Sequence, residues 1–213
     1  MALNFRYNPP SVIKKLFNDF YWTTSNNKIL LTFDDGPTTQ STETILKTLD
    51  NLKIKTVFFC VGNNVQKYSK LTNSILTEGH TIANHTFNHK KLTEINIDET
   101  VKELDSFNNL LEEKHNYKVK YFRPPYGKFR FSTNRLLKEK LLKNVMWSLL
   151  TYDYKNDFNL VKFAVKNNLN SSSIIVLHDS IKSKDIISDS IKFIIDESYK
   201  QGFNFGEPAE CLK

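Results

Sequence analysis

The chain alternates short, continuous runs of apolar residues with longer stretches in which apolar residues recur every three to four positions. Continuous runs are typical of buried β-strands, and the periodic stretches are typical of amphipathic helices. The runs predicted to be strands are 28–33, 55–61, 81–84, 120–122, 144–150, 173–177 and, more weakly, 203–205. The stretches predicted to be helices are 42–52, 65–77, 98–115, 132–142, 159–169 and 185–199.

Several predicted helix ends carry residues that helix ends favour. Asp98 is a candidate N-cap, because its carboxylate can accept hydrogen bonds from the free N–H groups of the first turn. Gly79 and Gly202 each fall just past a predicted helix, where the chain commonly turns left-handed and glycine carries no steric penalty. These residues support the predicted boundaries.

The repeated strand–helix alternation implies parallel strands joined by helical crossovers, and therefore an α/β fold. With six or seven such units, a closed or nearly closed barrel and an open, doubly wound sheet both remain possible. No internal repeat, linker or shift in composition marks a second domain. We therefore predict a single domain over residues 28–213, with residues 1–27 as an N-terminal extension that packs on it.

The composition is that of an ordinary globular domain. The chain of 213 residues is 39% hydrophobic and 25% charged, with 6 Gly and 6 Pro, which excludes collagen-like and extensively disordered chains. The formal net charge of +7 comes mainly from Lys, since only four of the 30 basic residues are Arg. Nucleic-acid sites usually draw on Arg, so we expect no nucleic-acid partner. A basic surface would instead favour acidic polymers such as cell-wall polyanions.

The apolar runs bear on the cellular location of the protein and on the environment of Cys60. No run approaches the ~18 apolar residues of a membrane span. The first 22 residues include Lys14 and Lys15 and no continuous apolar segment, so no signal peptide is predicted. We expect a cytoplasmic protein, with the cell envelope as the alternative if export follows another route or a signal has been trimmed. Cys60 lies in an apolar run and is expected to be a buried thiol. The sequence does not specify an oligomeric state.

Ionisable side chains follow five of the predicted strands at their C-terminal ends. The C-terminal ends of parallel strands meet at one edge of the sheet, and active sites of parallel α/β folds are built there. We therefore expect these side chains to lie close together. They are Asp34 and Asp35, His85 and His89, Arg123, Asp153 and His178.

Two histidines and one carboxylate among them suggest a metal site. His85 and His89 are four residues apart, so one helical turn or a tight loop can direct both imidazoles at one point. Asp35 could complete a set of two histidines and one carboxylate that leaves positions open for water. Its neighbour Asp34 would then be free to act as a general base. On the residue pattern alone, structural histidines and a simple Asp-Asp-Gly-Pro turn remain open as alternatives.

Four segments of the chain resemble motifs of the polysaccharide deacetylase family, the NodB-homology group or carbohydrate esterase family 4. The segments occur in the family's order, and residues 28–205 match the expected length of its domain. The resemblance implies a distorted (β/α)7-type barrel that removes N-acetyl groups from amino sugars. The four segments are TFDDGP at 32–37, HTFNH at 85–89, RPPYG at 123–127 and LHD at 177–179.

The resemblance also implies roles for the residues on the base side of the site. Asp34 would be the catalytic base, and Arg123 would hold and orient it. Asp35, His85 and His89 would bind Zn²⁺ or a similar divalent ion such as Co²⁺ or Ni²⁺. The implied cofactor is therefore a single divalent transition metal.

On the acid side, His178 would be the general acid, and Asp153 would orient it and raise its pKa. The backbone N–H of Tyr126 would help to bind the oxyanion. Leu177 would line a pocket for the acetyl methyl group. The implied substrate is a polysaccharide or oligosaccharide that contains N-acetylglucosamine, of the peptidoglycan or chitin type.

The fourth family motif, Asp-x-x-Asp-Trp, is altered in this chain, where it corresponds to residues 150–154. The second acid, Asp153, is retained, whereas Leu150 replaces the first acid and Tyr154 replaces the tryptophan. Both replacements fall on the expected wall of the substrate pocket. They therefore alter the shape of the pocket in which the substrate is selected.

Two alternative functions remain open. An O-deacetylase acting on an acetylated polysaccharide could use the same site, because an alcohol leaves an ester more easily than an amine leaves an amide. A catalytically silent, carbohydrate-binding relative is the other alternative, since the fourth motif is altered and no signal peptide is predicted. Full retention of the base, the ligands and the acid favours the N-deacetylase.

Overall fold

The computed structural model describes residues 7–213, and residues 1–6 of the predicted N-terminal extension lie outside this range. Its seven strands form one parallel sheet in the order β5-β4-β3-β2-β1-β7-β6, with β5 and β6 at the two edges. The sheet curls into a half-barrel in a single domain, which confirms the predicted α/β fold. The strands are β1 (Leu30–Asp34), β2 (Val57–Cys60), β3 (Thr81–Asn84), β4 (Tyr121–Phe122), β5 (Lys143–Asn144), β6 (Leu149–Leu150) and β7 (Ile174–His178).

Helices connect the strands and cover the outer face of the sheet. Within residues 7–213, no helix is both long enough and apolar enough to cross a membrane. Short 3₁₀ turns lie at Pro125–Gly127 and Asp153–Lys155. The helices are α1 (Ser11–Leu16), α2 (Thr42–Leu52), α3 (Gly62–Lys67), α4 (Ser69–Thr77), α5 (Ile97–His115), α6 (Phe131–Glu139), α7 (Phe158–Asn168), α8 (Ile187–Lys200) and α9 (Pro208–Cys211).

Three predicted helices differ in detail from the structure. The helix predicted at 132–142 ends at Glu139, before Leu141, whose φ of 56° is left-handed. The stretch 65–77 was predicted as one helix but belongs to two, because the chain bends at Tyr68, whose φ of −118° and ψ of 49° are not helical. Asn96, rather than Asp98, caps α5, since its side chain accepts a 2.8 Å hydrogen bond from the backbone N–H of Glu99. Both Asx residues precede the apolar periodicity, so the pattern alone does not separate them.

Two predicted strands also differ. The run 144–150 forms only the short strands β5 and β6 at its ends, because Val145 and Met146 direct their carbonyl groups at a buried side chain instead of a neighbouring strand. The weak strand predicted at 203–205 forms only an isolated bridge between Phe205 and Ile29.

The core has two main layers, one on each face of the sheet. On the helix side, Phe33 and Phe58 stack with ring centroids 5.1 Å apart and pack with buried residues of α2 and α8. On the inner side, Phe59 packs in a smaller apolar cluster. Every residue of β1 is buried, as expected for the central strand of a parallel sheet covered on both faces.

The described part of the N-terminal extension contacts the chain just after β5 and just before β7. Tyr21 forms a bridge with Val145, and Thr23 forms one with Ser173. An aromatic cluster that includes the buried rings of Phe17, Phe20 and Trp22 packs around Met146 in the same region. The extension therefore lies against the segment that runs between β5 and β6.

Candidate active site

The parallel sheet brings the ionisable residues to one edge. Asp34 is the last residue of β1 and pairs in register with His178, the last residue of β7. His85 directly follows β3, and Arg123 directly follows β4. Asp153 follows β6 after two residues. The predicted convergence of five strand ends therefore occurs in the structure.

Asp35, His85 and His89 form a compact group of potential metal ligands. Oδ1 of Asp35 lies 3.1 Å from Nε2 of His89 and 3.6 Å from Nε2 of His85. One ligand atom from each residue lies within 4.8 Å of the others, and no other such group occurs in the described residues. The spacing suits a single ion bound by all three.

The protonation of these groups also suits a metal site. Nδ1 of His85 lies 2.7 Å from the carbonyl oxygen of Arg123 and donates to it, which leaves the Nε2 lone pair facing Asp35. Burial lowers the pKa of His85 to about 4, so its ring is neutral at pH 7, as a ligand must be. Burial opposes ionisation of Asp35, but contacts with His89, His178 and His85 outweigh it and hold the pKa of Asp35 below its ordinary value. These residues therefore fit a divalent cation.

The loops that carry the ligands adopt an uncommon backbone conformation. Asp35, Thr86 and His89 have φ values of 77°, 66° and 57°, in the left-handed region that non-glycine residues seldom occupy. Side chains from elsewhere hold these loops: Asn64, for example, donates a 2.7 Å hydrogen bond to the carbonyl of Asp35. Such conformations persist where the surrounding structure enforces them, and they cluster at functional sites.

Arg123 is fully buried, and its guanidinium donates hydrogen bonds to Asp34, to Thr32 and to two main-chain carbonyls. Its Nη1 donates to Oδ1 of Asp34 at 2.7 Å and to Oγ1 of Thr32 at 2.8 Å. Its Nε and Nη2 donate to the carbonyls of Val145 and Met146, each at 2.8 Å. The guanidinium is thereby fixed in one orientation.

Asp34 is held so that one oxygen is engaged and the other faces the ligands. Oδ1 is bound by Arg123, whereas Oδ2 lies 4.0 Å from Nε2 of His85. The residue is 6% exposed. The carboxylate thus presents one oxygen to the cleft beside the potential metal position.

His178 and Asp153 form a hydrogen-bonded pair on the opposite side. Oδ1 of Asp153 lies 2.8 Å from Nδ1 of His178, and Oδ2 accepts a 2.7 Å hydrogen bond from its backbone N–H. Burial would lower the pKa of His178, but the charge and hydrogen bond of Asp153 outweigh it and raise that pKa to about 9. His178 is therefore protonated at neutral pH.

A cleft of about 420 Å³ joins these groups. Arg123 and Asp153 lie beneath its wall, fully buried, and act on it through Asp34 and His178. Trp147, Val176 and Lys182 are lining residues that lie outside the motif segments, whereas Gly127 belongs to the RPPYG segment but was given no role. The complete lining is Asp34, Asp35, His85, His89, Tyr126, Gly127, Trp147, Leu150, Tyr154, Val176, His178 and Lys182.

Aromatic side chains form much of the wall. The ring of Tyr126 lies 4.8 Å from that of His89, and the ring of Tyr154 lies 4.8 Å from that of His178. Tyr126 itself is 64% exposed at the rim. A Cβ on Gly127 would lie 2.3 Å from the indole of Trp147, so glycine allows Trp147 to close over this turn.

The structure does not bring Leu177 into the cleft. Leu177 lies in the apolar layer between sheet and helices, and Val176 lines the cleft in its place. Successive side chains of a strand point to opposite faces, so Val176 shares a face with His178 and Leu177 does not. The alternation of side chains along β7 would therefore have predicted Val176, two residues before His178, as the residue that lines the cleft.

Asp179, the last residue of the LHD segment, is a further buried carboxylate for which the sequence predicted no role. Its two oxygens accept 2.6 Å hydrogen bonds from the hydroxyls of Ser41 and Thr42, and its backbone N–H donates to the carbonyl of Asp34. Burial raises the pKa of Asp179 to about 6, although both hydroxyl bonds act to lower it. Asp179 thereby fastens the loop after β1 to the end of β7.

The fold and the site together define the class: a parallel α/β half-barrel with a group of two histidines and one aspartate that could bind a metal ion, and a hydrogen-bonded histidine–aspartate pair, at one edge of its sheet. The family model "Polysaccharide deacetylase" matches residues 22–145, more than half of the chain. The chain belongs to this polysaccharide deacetylase family, carbohydrate esterase family 4, as the resemblance of its motifs predicted.

Individual relatives cover most of the chain. Two proteins of Bacillus cereus, both named peptidoglycan-N-acetylglucosamine deacetylase, are similar to it: one is 32% identical over 90% of this chain and 92% of its own length. The other is 31% identical over 82% of this chain, which spans only 64% of that protein. The crystal structure of the Bc1960 peptidoglycan N-acetylglucosamine deacetylase superposes with a TM-score of 0.87 at 27% identity and covers 96% of this chain and 97% of its own.

Proposed function

We propose that the chain is a metal-dependent hydrolase that removes N-acetyl groups from N-acetylglucosamine in peptidoglycan-type polysaccharide. The observation that carries this proposal is the arrangement of the cleft. An oriented carboxylate, three potential metal ligands and a protonated histidine all face one space of about 420 Å³. Hydrolysis of an amide needs a base for the incoming water and an acid for the leaving amine, and this cleft offers one on each side.

The choice of polymer is supported by the relatives and by charge. Both Bacillus cereus relatives carry names that specify N-acetylglucosamine in peptidoglycan. The net charge of +7 favours association with an anionic wall polymer over neutral chitin. We therefore infer that peptidoglycan is preferred to chitin-type oligosaccharides.

The ligand group would bind the ion and the acetamide end of the substrate. Asp35, His85 and His89 would hold a divalent cation, with Zn²⁺ as the first candidate because nitrogen and oxygen ligands of this kind suit it. When bound, the ion would polarise the acetamide carbonyl and lower the pKa of water. The chain's own residues then provide the proton transfers.

Asp34 would accept the proton of the attacking water through Oδ2. Arg123 contributes by binding Oδ1, so that the second oxygen stays directed at the cleft. The geometry requires no rearrangement of the base. A base held in place in this way avoids the entropic cost of orientation during the reaction.

His178 would donate a proton to the departing amine from Nε2. Its Nδ1 is engaged by Asp153, so Nε2 is the nitrogen available to substrate. An amine leaves an amide readily only when it is protonated, which a histidine with a pKa of about 9 can ensure at neutral pH.

The cleft wall would position the sugar and its acetyl group. Tyr126, Trp147 and Tyr154 offer aromatic surface to the sugar ring, and Leu150 and Val176 offer apolar surface to the acetyl methyl group. Leu150 and Tyr154 are the two departures from the family's fourth motif. The altered motif thus changes the wall and leaves the acid–base groups in place.

The test is acetate release from N-acetylglucosamine oligomers and from peptidoglycan, with added zinc and again with a chelator. We expect zinc-dependent release by the wild-type protein and by Asp105→Asn, a control on the outer helix α5. Asp34→Asn should release none and still bind zinc. Full activity in Asp34→Asn would refute the base, and release from acetylxylan alone would favour the O-deacetylase.

A further inference from the structure

A buried carboxylate on helix α5 contacts the loop that carries both candidate histidine ligands. Glu103 is 4% exposed and belongs to none of the segments that resemble family motifs. Its Oε2 accepts a 2.7 Å hydrogen bond from the backbone N–H of Asn88, and its Oε1 accepts one of 2.7 Å from Nδ2 of the same residue. Both oxygens of Glu103 therefore bind the residue that immediately precedes His89.

The remaining polar group of Asn88 is also engaged, so its side chain has a single favoured orientation. Its Oδ1 accepts a 2.8 Å hydrogen bond from Nδ2 of Asn63. The backbone N–H of Asn63 in turn donates to the carbonyl of Phe87, at 2.9 Å. The loop is thus bound from two sides, by α5 and by the start of α3.

This loop needs external support, because two of its residues are left-handed. Thr86 has φ of 66° and His89 has φ of 57°, and neither is glycine. Such residues stay in place only where surrounding contacts enforce the conformation. The bond from Asn88 N–H to Glu103 fixes the chain at the residue before His89, and so fixes where the His89 imidazole points.

Packing alone does not account for a glutamate at position 103. Apart from Thr100, the other buried residues of α5 are apolar, namely Leu104, Phe107 and Leu111. A buried carboxylate carries a desolvation penalty that an apolar residue would avoid. Two charge-assisted hydrogen bonds to Asn88 and the ammonium group of Lys90, 3.8 Å away, offset this penalty.

We propose that Glu103 is a positioning residue for the metal site, which sets the affinity for the divalent ion by holding Asn88 and thereby His89. This role rests on the proposed function, because it assumes that His89 is a ligand. Outer contacts that orient a ligand typically change metal affinity 10- to 100-fold when they are removed.

The first experiment measures zinc affinity by calorimetric titration of the metal-free protein. Glu103→Ala should weaken zinc binding about 10- to 100-fold. Glu103→Gln should weaken zinc binding less, because it keeps one of the two hydrogen bonds. The amide oxygen of the glutamine can still accept from the backbone N–H of Asn88, but its NH₂ group faces the side-chain donor Nδ2 of Asn88 and cannot accept from it. The matched control Glu99→Gln lies one turn away on α5, contacts Lys90, and should leave the affinity within about twofold.

A second measurement separates positioning from general stability. Ile194→Ala removes a fully buried side chain of α8, a helix that packs against α2 and α7, and should lower the thermal midpoint without changing the zinc dissociation constant of the folded protein. Saturating zinc should restore much of the acetate release of Glu103→Ala. It should not restore that of Asp34→Asn, whose defect lies in the base.

The outcomes distinguish the two proposals. Wild-type protein that binds no zinc would overturn the metal site and the positioning role together. Wild-type binding that is unchanged in both Glu103→Ala and Glu103→Gln would overturn the positioning role alone. An Ile194→Ala protein that loses zinc affinity as much as Glu103→Ala would show that the effect reflects loss of stability, and would also overturn that role.

Discussion

Replacement of Asp153 by asparagine tests the acid side of the site. Asp153 is fully buried, and its carboxylate contacts the ring Nδ1 of His178 at 2.8 Å and the backbone N–H at 2.7 Å. Thr151 donates a further 3.0 Å hydrogen bond to Oδ1. Asparagine has nearly the same shape and can retain part of this network, so Asp153→Asn removes chiefly the negative charge.

The expected size of the effect follows from the pKa of His178. Burial lowers this pKa, and Asp153 raises it to about 9 from the ordinary 6.5. That difference corresponds to about 3 kcal/mol in favour of the protonated ring, at about 1.4 kcal/mol per pH unit. Without the charge of Asp153, burial is opposed mainly by the smaller contributions of Asp35 and Asp34, and the pKa should fall to about the ordinary 6.5. At about pH 7.5 the protonated fraction then drops from nearly all molecules to less than about one tenth.

The assay is the pH dependence of acetate release under substrate-limiting conditions. Wild-type activity should decline as the pH rises through about 9. In Asp153→Asn the decline should already occur as the pH rises through about 6.5, and its rate at about pH 7.5 should be at least about tenfold lower than that of the wild type. The control Asp157→Asn changes an exposed N-cap of α7 to another good capping residue and should keep the wild-type profile. A basic limb that stays near pH 9 in Asp153→Asn would refute the reasoning.

Protein stability gives an independent readout of the same pair. The folded-state pKa of His178 lies above its unfolded value, so the protonated ring contributes its full stabilisation below about pH 6.5 and loses it as the pH rises to about 9. Urea unfolding of the wild-type protein should therefore show a free energy of unfolding that declines over this range. The decline should be smaller in Asp153→Asn, and equal declines in both proteins would contradict the assignment.

Three other perturbations have defined outcomes. A Cβ on Gly36 would lie 2.1 Å from Oδ2 of Asp179, so Gly36→Ala should lower the free energy of unfolding in urea by about 1–3 kcal/mol, and an unchanged value would contradict the packing of this loop. Tyr154→Trp, which restores the family's aromatic residue on the wall, should alter KM while kcat stays within about threefold, and a much larger loss of kcat would instead indicate a role in the chemical step. Chelation should abolish acetate release and added zinc should restore it, whereas activity in verified metal-free protein would refute the ligand group.

The regular parts of the fold could be predicted from local pattern. Helix α2 and strand β3 have the predicted boundaries, because each carries a clear periodicity and ends at residues that interrupt it. The convergence of the catalytic candidates was also predictable, since it needs only parallel strands and the knowledge that their C-terminal ends share an edge. Neither inference depends on contacts between distant parts of the chain.

The parts that could not be predicted depend on such contacts. Asp179 binds Ser41 across 138 positions, and Glu103 binds Asn88 from a helix that otherwise reads as an amphipathic core helix. A carboxylate in a helical stretch predicts an exposed position, since charged residues are seldom buried unless paired. The partner that makes burial tolerable is supplied only by the tertiary structure.

The apolar run at 144–150 shows most clearly how fold and site are connected. Local pattern predicts one strand there, yet β5 and β6 at its two ends lie on opposite edges of the half-barrel, so the residues between them span its opening. Arg123 reaches this segment from the inside and binds the carbonyls of Val145 and Met146, which in a strand would have bonded to a neighbour. The same guanidinium binds Asp34. Arginine can make all of these contacts because its guanidinium carries five N–H donors in a rigid, forked arrangement. A lysine could not contact all of these acceptors in the same geometry. Through Arg123, the irregular segment therefore fixes the orientation of the Asp34 carboxylate, the proposed base.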